Sequence, residues 1–567
     1  MPSLPQNDTP ENQANRKAQL ENKQKQYVFD PEYLPPLTVI KDVPITESFS
    51  PKYLAERLPS TLAKLSANSL AIKVKSHWDP LDELQDYEDF YPVLPPPSVM
   101  GTYQMDESFA EQRLSGSNPM VLRAIAELPP TFSYSLQEVQ TAYSPHIPVE
   151  QGLGKELAAG NLYVADYQSL SFIQGGTYLK GKKYLPAPVA LFLWRKSGYR
   201  DQGQLMPVAI QIDSKPGQKA DLLTPNSLGN NWLYAKTCVQ IADANHHEMA
   251  SHLCHTHFVM EPFAVSTARR LSSIHPLYLL LRPHFRFMLF NNEMARKRLV
   301  NQGGTVDDLL AGTIDESLQI VKDAYEKNAQ ESWSLDQFAL PTFIKNRGLD
   351  DTTRLPHYPY RDDGQLLWDA IAKYVGEYLG LYYTNPEDLT NDYELQSWIA
   401  ELADQGNDGG KVKGIPTTLE TVQQLADIVT AVIYTCSAQH SAVNFTQYDY
   451  MGFIPNAPLA AYQPIKSQFK NGEGKEEELT LQELLAFLPP SNQVVDQINI
   501  MYTLGTYRYD RLGYYDEPFS DRRARTVLMR FQQNLNGIER TIDLRNKKRV
   551  FRYPVLKPSL VINSISI

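Results

Sequence analysis

One stretch constrains this chain more than any other: WLYAKTCVQIADANHHEMASHLCHTHFVMEPF, residues 232–263. It reads as one long helix. Within it His247, His252 and His257 recur at five-residue intervals, and His255 sits between the last two. On an α-helix, residues i and i+5 lie about 140° apart, so imidazoles spaced that way diverge. A π-type turn, with i→i+5 hydrogen bonds, returns them to one face, and such turns are frequent at functional sites. The spacing therefore predicts a locally widened helix that presents imidazoles to a metal ion.

Two other readings compete. A single histidine on a mostly apolar helix is most often a hydrogen-bonded core group, but three in strict register argue against that. A zinc protease needs H-E-x-x-H, with its second histidine at i+4 on the same helix face. His247-Glu248 starts such a motif, yet position 251 is Ser and the next histidine is His252. The geometry excludes that site.

The chain has 567 residues, more than one hydrophobic core usually serves, so several domains or one large helical domain are open. A net charge of −11 speaks against a general nucleic-acid binder, and no nucleic-acid partner is expected. Cys238, Cys254 and Cys436 show no paired spacing; they are expected to pack as small apolar groups in a reducing cytoplasm. The N-terminus has no signal-peptide core, and no apolar run reaches the roughly 18 residues that span a bilayer.

Taken in order, residues 1–26 are rich in Gln, Asn, Lys and Glu and are expected to be disordered or a loose polar helix. Residues 27–100 are broken by Pro35-Pro36 and Pro95-Pro96-Pro97, with some helical pattern in SPKYLAERLPSTLAKL, and read as an irregular wrapping extension. NLYVADY, APVALFLW and MPVAIQI look like strands of a small sheet. Beyond Trp232 the period is helical over 232–263, 287–301, 306–327, 364–382, 418–440, 479–489 and 516–546, with loops at 384–389 and 406–416.

Far downstream, in YTCSAQHSAVNFTQYDY, His440 and Asn444 lie four residues apart and share a helix face, with Gln447 one turn on. The tail, FRYPVLKPSLVINSISI, is apolar where chain ends are usually polar and frayed, so it is expected to be buried. Alone, His-x3-Asn says little. With the histidine run and the tail it says more.

The whole resembles the lipoxygenases. The resemblance rests on WLYAKTCVQIAD, on H-x4-H-x4-H running into THFVMEPF, and on HPLYLLLRPHFRFMLFNNEMAR. It rests further on HSAVNFTQYDYMGFIPNAP, on RLGYYDEPF with MRFQQNLNGIE, and on the final NSISI. Motif order is preserved over roughly residues 100–567. It implies a mainly α fold: a large helical catalytic domain over residues 101–567 with a small β subdomain, preceded by the extension at 27–100 and the polar stretch at 1–26.

Carried over motif by motif, the resemblance implies one non-heme iron held by His252, His257 and His440, more weakly by Asn444, and by the main-chain carboxylate of Ile567. His247, Glu248 and Gln447 are expected around that sphere, where hydrogen bonds fix imidazole tautomers. Imidazole suits iron, zinc and copper alike, so residue types leave the metal open and the resemblance selects iron. The implied reaction adds O2 to a polyunsaturated fatty acid after ferric hydroxide takes a hydrogen from a bis-allylic carbon, with no side chain as base. Ala295, Leu299, Val306 and Leu512 are implied in the substrate and oxygen cavity, Ala295 and Leu299 on one helix face.

Three departures bear on this. Residues 1–100 lack the alternating strands of the β-barrel that plant and animal lipoxygenases carry, so a form without it is expected. Such a protein would be cytoplasmic and at most weakly peripheral to membranes, through its extension. The plant-type arginine is Ala457 here, which favours tail-first over carboxylate-first insertion of the fatty acid, and the usual proline before the last Asn-Ser is Ile562. The alternatives are a hydroperoxide isomerase or epoxyalcohol-forming lipoxygenase, with the same ligands, and a non-catalytic lipid-binding protein, which would have no reason to keep them.

Overall fold

The computed structural model describes residues 1–76, 81–143, 152–179, 181–195, 203–213, 219–326 and 332–567. Its central element is a helix buried on every side. From Trp232 to Asn245 nearly all residues of Asn231–His246 are inaccessible, and the charges it buries are paired, Lys236 with Asp106 at 2.7 Å and Asp243 with Arg113 at 3.0 Å. It runs on through His247–Phe258, where the backbone hydrogen bonds span i→i+5, into Val259–Arg270. The widening that the five-residue spacing predicts is present. A second buried helix repeats the device: Val422–Tyr434 is α, Thr435–Gln439 is wide, and His440–Asn444 resumes the α form.

Helices pack around this pair. Pro359–Leu379 lies against both Val422–Tyr434 and Arg522–Asn546. Several helix starts follow from local chemistry. Thr421 with Gln424, and Thr480 with Glu483, form reciprocal caps, and the Asp521 side chain accepts from the Arg523 N–H, which sets the last long helix to begin at Arg522 rather than 516. The period over 306–327 is interrupted: Thr305–Leu309 and Ile314–Glu326 are separate helices around Gly312, and residue 327 lies outside the described residues. The stretch 384–389, expected as loop, contains the short helix Pro386–Thr390, which Asn385 caps.

The expected sheet exists and is antiparallel. Its five strands run in the order Arg123–Ala124, Leu162–Asp166, Val189–Arg195, Gln204–Gln211, Leu222–Leu223. Alternation sends Tyr163, Phe192 and Trp194 into the main core, and Leu162, Val164 and Leu191 into a smaller core with Phe132 and Tyr143. The register shifts between Leu191 and Phe192, opposite Pro207, which has no N–H for the ladder.

Of the two expectations for the N-terminal stretch, disorder or a loose polar helix, the structure has the helix. Pro10–Gln26 is a helix, started by the Thr9 side chain. Arg16 pins it: its guanidinium reaches Asp8 at 2.5 Å, Ser272 Oγ at 2.7 Å and Glu394 at 3.1 Å, with both Arg16 and Glu394 buried. A polar composition has no apolar face to dock with; the buried Arg16–Glu394 pair does the docking instead, together with Gln19 on Ser273 and Gln24 on the Arg269 carbonyl. In the extension, Phe29–Asp30 pairs with Val39–Ile40, and Pro51–Ser76 is a long helix with Pro59 inside it. Among the described residues no helix is long and apolar enough to cross a membrane. The three cysteines are free and buried.

Candidate metal centre

The two widened helices bring His252, His257 and His440 together. One ring nitrogen from each lies within 4.8 Å of the others, and all three are buried. His252 and His257 face each other with their Nε2 atoms 3.1 Å apart, so the five-residue step converges as a wide turn should. Neither ring nitrogen of His440 has a hydrogen bond of good geometry; the acceptor that bears on it is the main chain of Ile567. Burial drives all three toward the neutral form: His257 falls to about 3 and His440 lies well below the ordinary range, both helped by neighbouring imidazoles, and His252 is lowered although Glu248 opposes it. Neutral imidazoles with unpaired lone pairs, converging in a buried space, are what a divalent or trivalent metal ion of the nitrogen-loving kind needs.

The rings are oriented from behind. His257 Nδ1–H donates to Asn292 Oδ1 at 2.9 Å, which leaves Nε2 for the centre. Asn292 Nδ2 donates in turn to Glu261 Oε2 at 2.7 Å. Glu261, fully buried, is balanced by Arg296 at 2.8 Å and by the Ile40 N–H at 2.7 Å. Phe287 begins the helix Met288–Arg298 that carries Asn292, with a left-handed φ of 64° that a phenylalanine seldom adopts. Neither Asn292 nor Glu261 was marked by the sequence. The one sign was a glutamate in an otherwise apolar run, THFVMEPF.

His247 is engaged elsewhere. Its Nε2–H donates to the Val443 carbonyl at 2.8 Å, tying the two helices, and its Nδ1 lies 3.6 Å from Glu248 Oε1. Glu248 also sits 3.5 Å from His252 Nδ1. Burial pushes the Glu248 carboxyl up, but His247 and then His252 outweigh it and hold it at about 2. His255 turns away, its ring 4.5 Å from Phe338, into a separate cavity of about 300 Å³.

Asn444 Nδ2 donates to the Leu504 carbonyl at 2.8 Å, and its Oδ1 accepts from Gln447 Nε2 at 3.0 Å. Gln447 Oε1 is buried without a partner. Ile567 is buried, as is the whole run from Val561. Asn563 clamps that tail: its Nδ2 donates to Asp510, Arg511 O and Tyr514 O at 2.9, 2.9 and 3.0 Å. Its Oδ1 accepts from the Gly513 N–H at 2.9 Å, a reach made with Gly513 at a φ of +77°, where a side chain would be strained.

A cavity of about 600 Å³ opens from the histidines. His252, His257 and Ile567 lie in its wall, with Ala295, Leu299 and Val306 further out. Leu512 is not among the residues that line it. It is fully buried, and its N–H donates to the Val561 carbonyl at 2.7 Å, so it serves the tail instead.

Compared with known proteins, the chain matches the lipoxygenase family model over residues 67–555. It is 34% identical over 496 residues to the human polyunsaturated fatty acid lipoxygenase ALOX15B, covering 87% of this chain and 70% of that protein. It is 32% identical over 551 residues to the allene oxide synthase-lipoxygenase protein of Plexaura homomalla, covering 93% of this chain and 50% of that protein. The whole chain superposes on 83% of a crystal structure of a lipoxygenase in complex with arachidonate, with a TM-score of 0.89 and 30% identity. The chain belongs to the lipoxygenase family. Its relatives are oxidoreductases of the dioxygenase kind.

Proposed function

We propose that this chain is a non-heme iron lipoxygenase that adds O2 to polyunsaturated fatty acids and yields hydroperoxides. The observation that carries the reading is the convergence of three neutral, buried imidazoles, two of which, His252 and His257, stand in the wall of an apolar cavity large enough for a fatty acyl chain. Iron held there would supply the one-electron oxidation that removes a bis-allylic hydrogen. His252, His257 and His440 would hold it, with Asn444 and the carboxylate of Ile567 as further ligands. Asn292 and Glu261 fix the His257 ring; Glu248 braces the sphere from the cavity side, and His247 and Gln447 brace it from within the protein, through Val443 and Asn444. Ala295, Leu299 and Val306 shape where the substrate and O2 meet, and Met249, Leu253 and Leu310 help to exclude water.

The test is iron-loaded full-length protein given linoleate or arachidonate, with oxygen uptake and product analysis. Uptake equal to hydroperoxide formed supports the reading. Consumption of added hydroperoxide without uptake would make it an isomerase, and binding without turnover a lipid carrier. We place the protein in the cytoplasm, which suits its free cysteines, with weak membrane-surface contact through exposed Ile45, Leu62 and Leu70 of the extension. Flotation with liposomes, before and after removal of that segment, tests the contact.

A further inference from the structure

The last peptide of the chain is held by a residue from the opposite end. Tyr53, fully buried on the helix Pro51–Ser76, donates its hydroxyl to the Ser566 carbonyl at 2.5 Å. The Ser566 carbonyl shares a rigid plane with the Ile567 N–H. Fixing that plane leaves few soft torsions between it and the Ile567 carboxylate. The clamp on Asn563 does not reach so far. Ser564 Oγ donates to the Arg286 carbonyl at 2.7 Å, and the Ser566 N–H turns back to Ser564 O at 2.8 Å.

The phenol has one position available. Phe49 stacks on its ring at 4.4 Å, and Phe287 and Tyr509 lie at 5.0 and 5.3 Å. Arg57, one turn along, donates Nη1–H to the Tyr53 oxygen at 2.7 Å. A cation on its oxygen makes the phenol a stronger donor, so the bond to Ser566 is strengthened in series. Arg57 also lines the cavity that Ile567 lines. Both residues precede the span matched by the family model, which starts at residue 67.

We propose that Tyr53 is a positioning residue for the terminal carboxylate, with Arg57 as the group that polarises it. This rests on the reading that Ile567 faces a bound iron. The test compares full-length wild type with Tyr53→Phe after iron loading and oxidation to the ferric state. Iron content, the line shape of the high-spin ferric resonance without substrate, and kcat and KM are read. The variant should keep iron, show an altered ferric line, and lose kcat by about tenfold with KM within about twofold, as for other residues that orient ligands. An unchanged line with unchanged kcat would overturn the proposal. If Tyr53→Phe does not fold, Arg57→Met keeps the phenol and carries the same test: its ferric line should differ from that of wild type, and an unchanged line counts against the proposal. A wild type that takes up no iron would instead overturn the metal reading itself.

Discussion

His257 Nδ1 lies 2.9 Å from Asn292 Oδ1, the first step of a buried chain that continues through Glu261 to Arg296. The bond selects the tautomer that points Nε2 at the other histidines. Asn292→Leu should cost about 10- to 100-fold in metal affinity or turnover, as removal of such outer partners does. Metal content by mass spectrometry, with kcat beside it, checks this; wild-type values for both would show that the ring needs no guide.

His252, His257 and His440 should each be indispensable. Alanine at any of them should remove both metal and activity. His247→Ala should keep most of the metal, because both its ring nitrogens already face oxygens of Val443 and Glu248. It should still lower stability, by about 1–3 kcal/mol, since the buried Val443 carbonyl loses its donor. Full activity in His252→Ala would refute the centre described above.

Deleting Ile567 should abolish activity, since the new terminal carboxylate would fall up to ~3.5 Å short on the extended-chain estimate. Ile567→Val keeps the carboxylate and should lose little. A protein extended at its C-terminus that retained normal metal and turnover would remove Ile567 from the ligand set.

Ala295→Gly should change the position or hand of oxygenation while iron and substantial activity remain. The residue lines the cavity, and one methyl can shield one carbon of the substrate radical from O2. A barrier difference of ~1.4 kcal/mol shifts a product ratio tenfold. Chiral chromatography of the reduced products decides, and an unchanged profile would take Ala295 off the oxygen path.

Arg16→Ala should destabilise the protein by about 3–5 kcal/mol, because Glu394 stays buried while its cation is gone. Denaturant unfolding measures this. A midpoint equal to wild type would mean that the Arg16–Glu394 pair contributes nothing to the stability of the fold.

What could be read ahead of the structure was local. The five-residue histidine step contained the wide turn, His-x3-Asn contained the second helix face, and the period over 479–489 located the helix Leu481–Phe487. The apolar tail announced its own burial. What could not be read depends on partners far apart in the chain. Arg16 meets Glu394 across 378 positions, and Tyr53 meets Ser566 across 513. Composition made residues 1–26 look unable to dock, because a single buried charge leaves no periodic trace. Leu512 was assigned to the cavity by motif position, but its backbone lies under the tail.

The wide turn has a consequence for how this centre is stored. A stretch of i→i+5 bonds is an α-helix carrying surplus residues; the histidine spacing marks where it falls, but the stretch alone has no packing to hold it open. A peptide of that stretch, freed from the protein, would wind back to the tighter spiral, and its imidazoles would fan apart by about 140°. The motif is therefore not a portable cassette. The convergence of its imidazoles depends on the crossing helix, which brings His440, and on Asn292 from a third helix, which sets the His257 ring. Grafting the histidines onto another scaffold would transfer the ligands and leave the geometry behind.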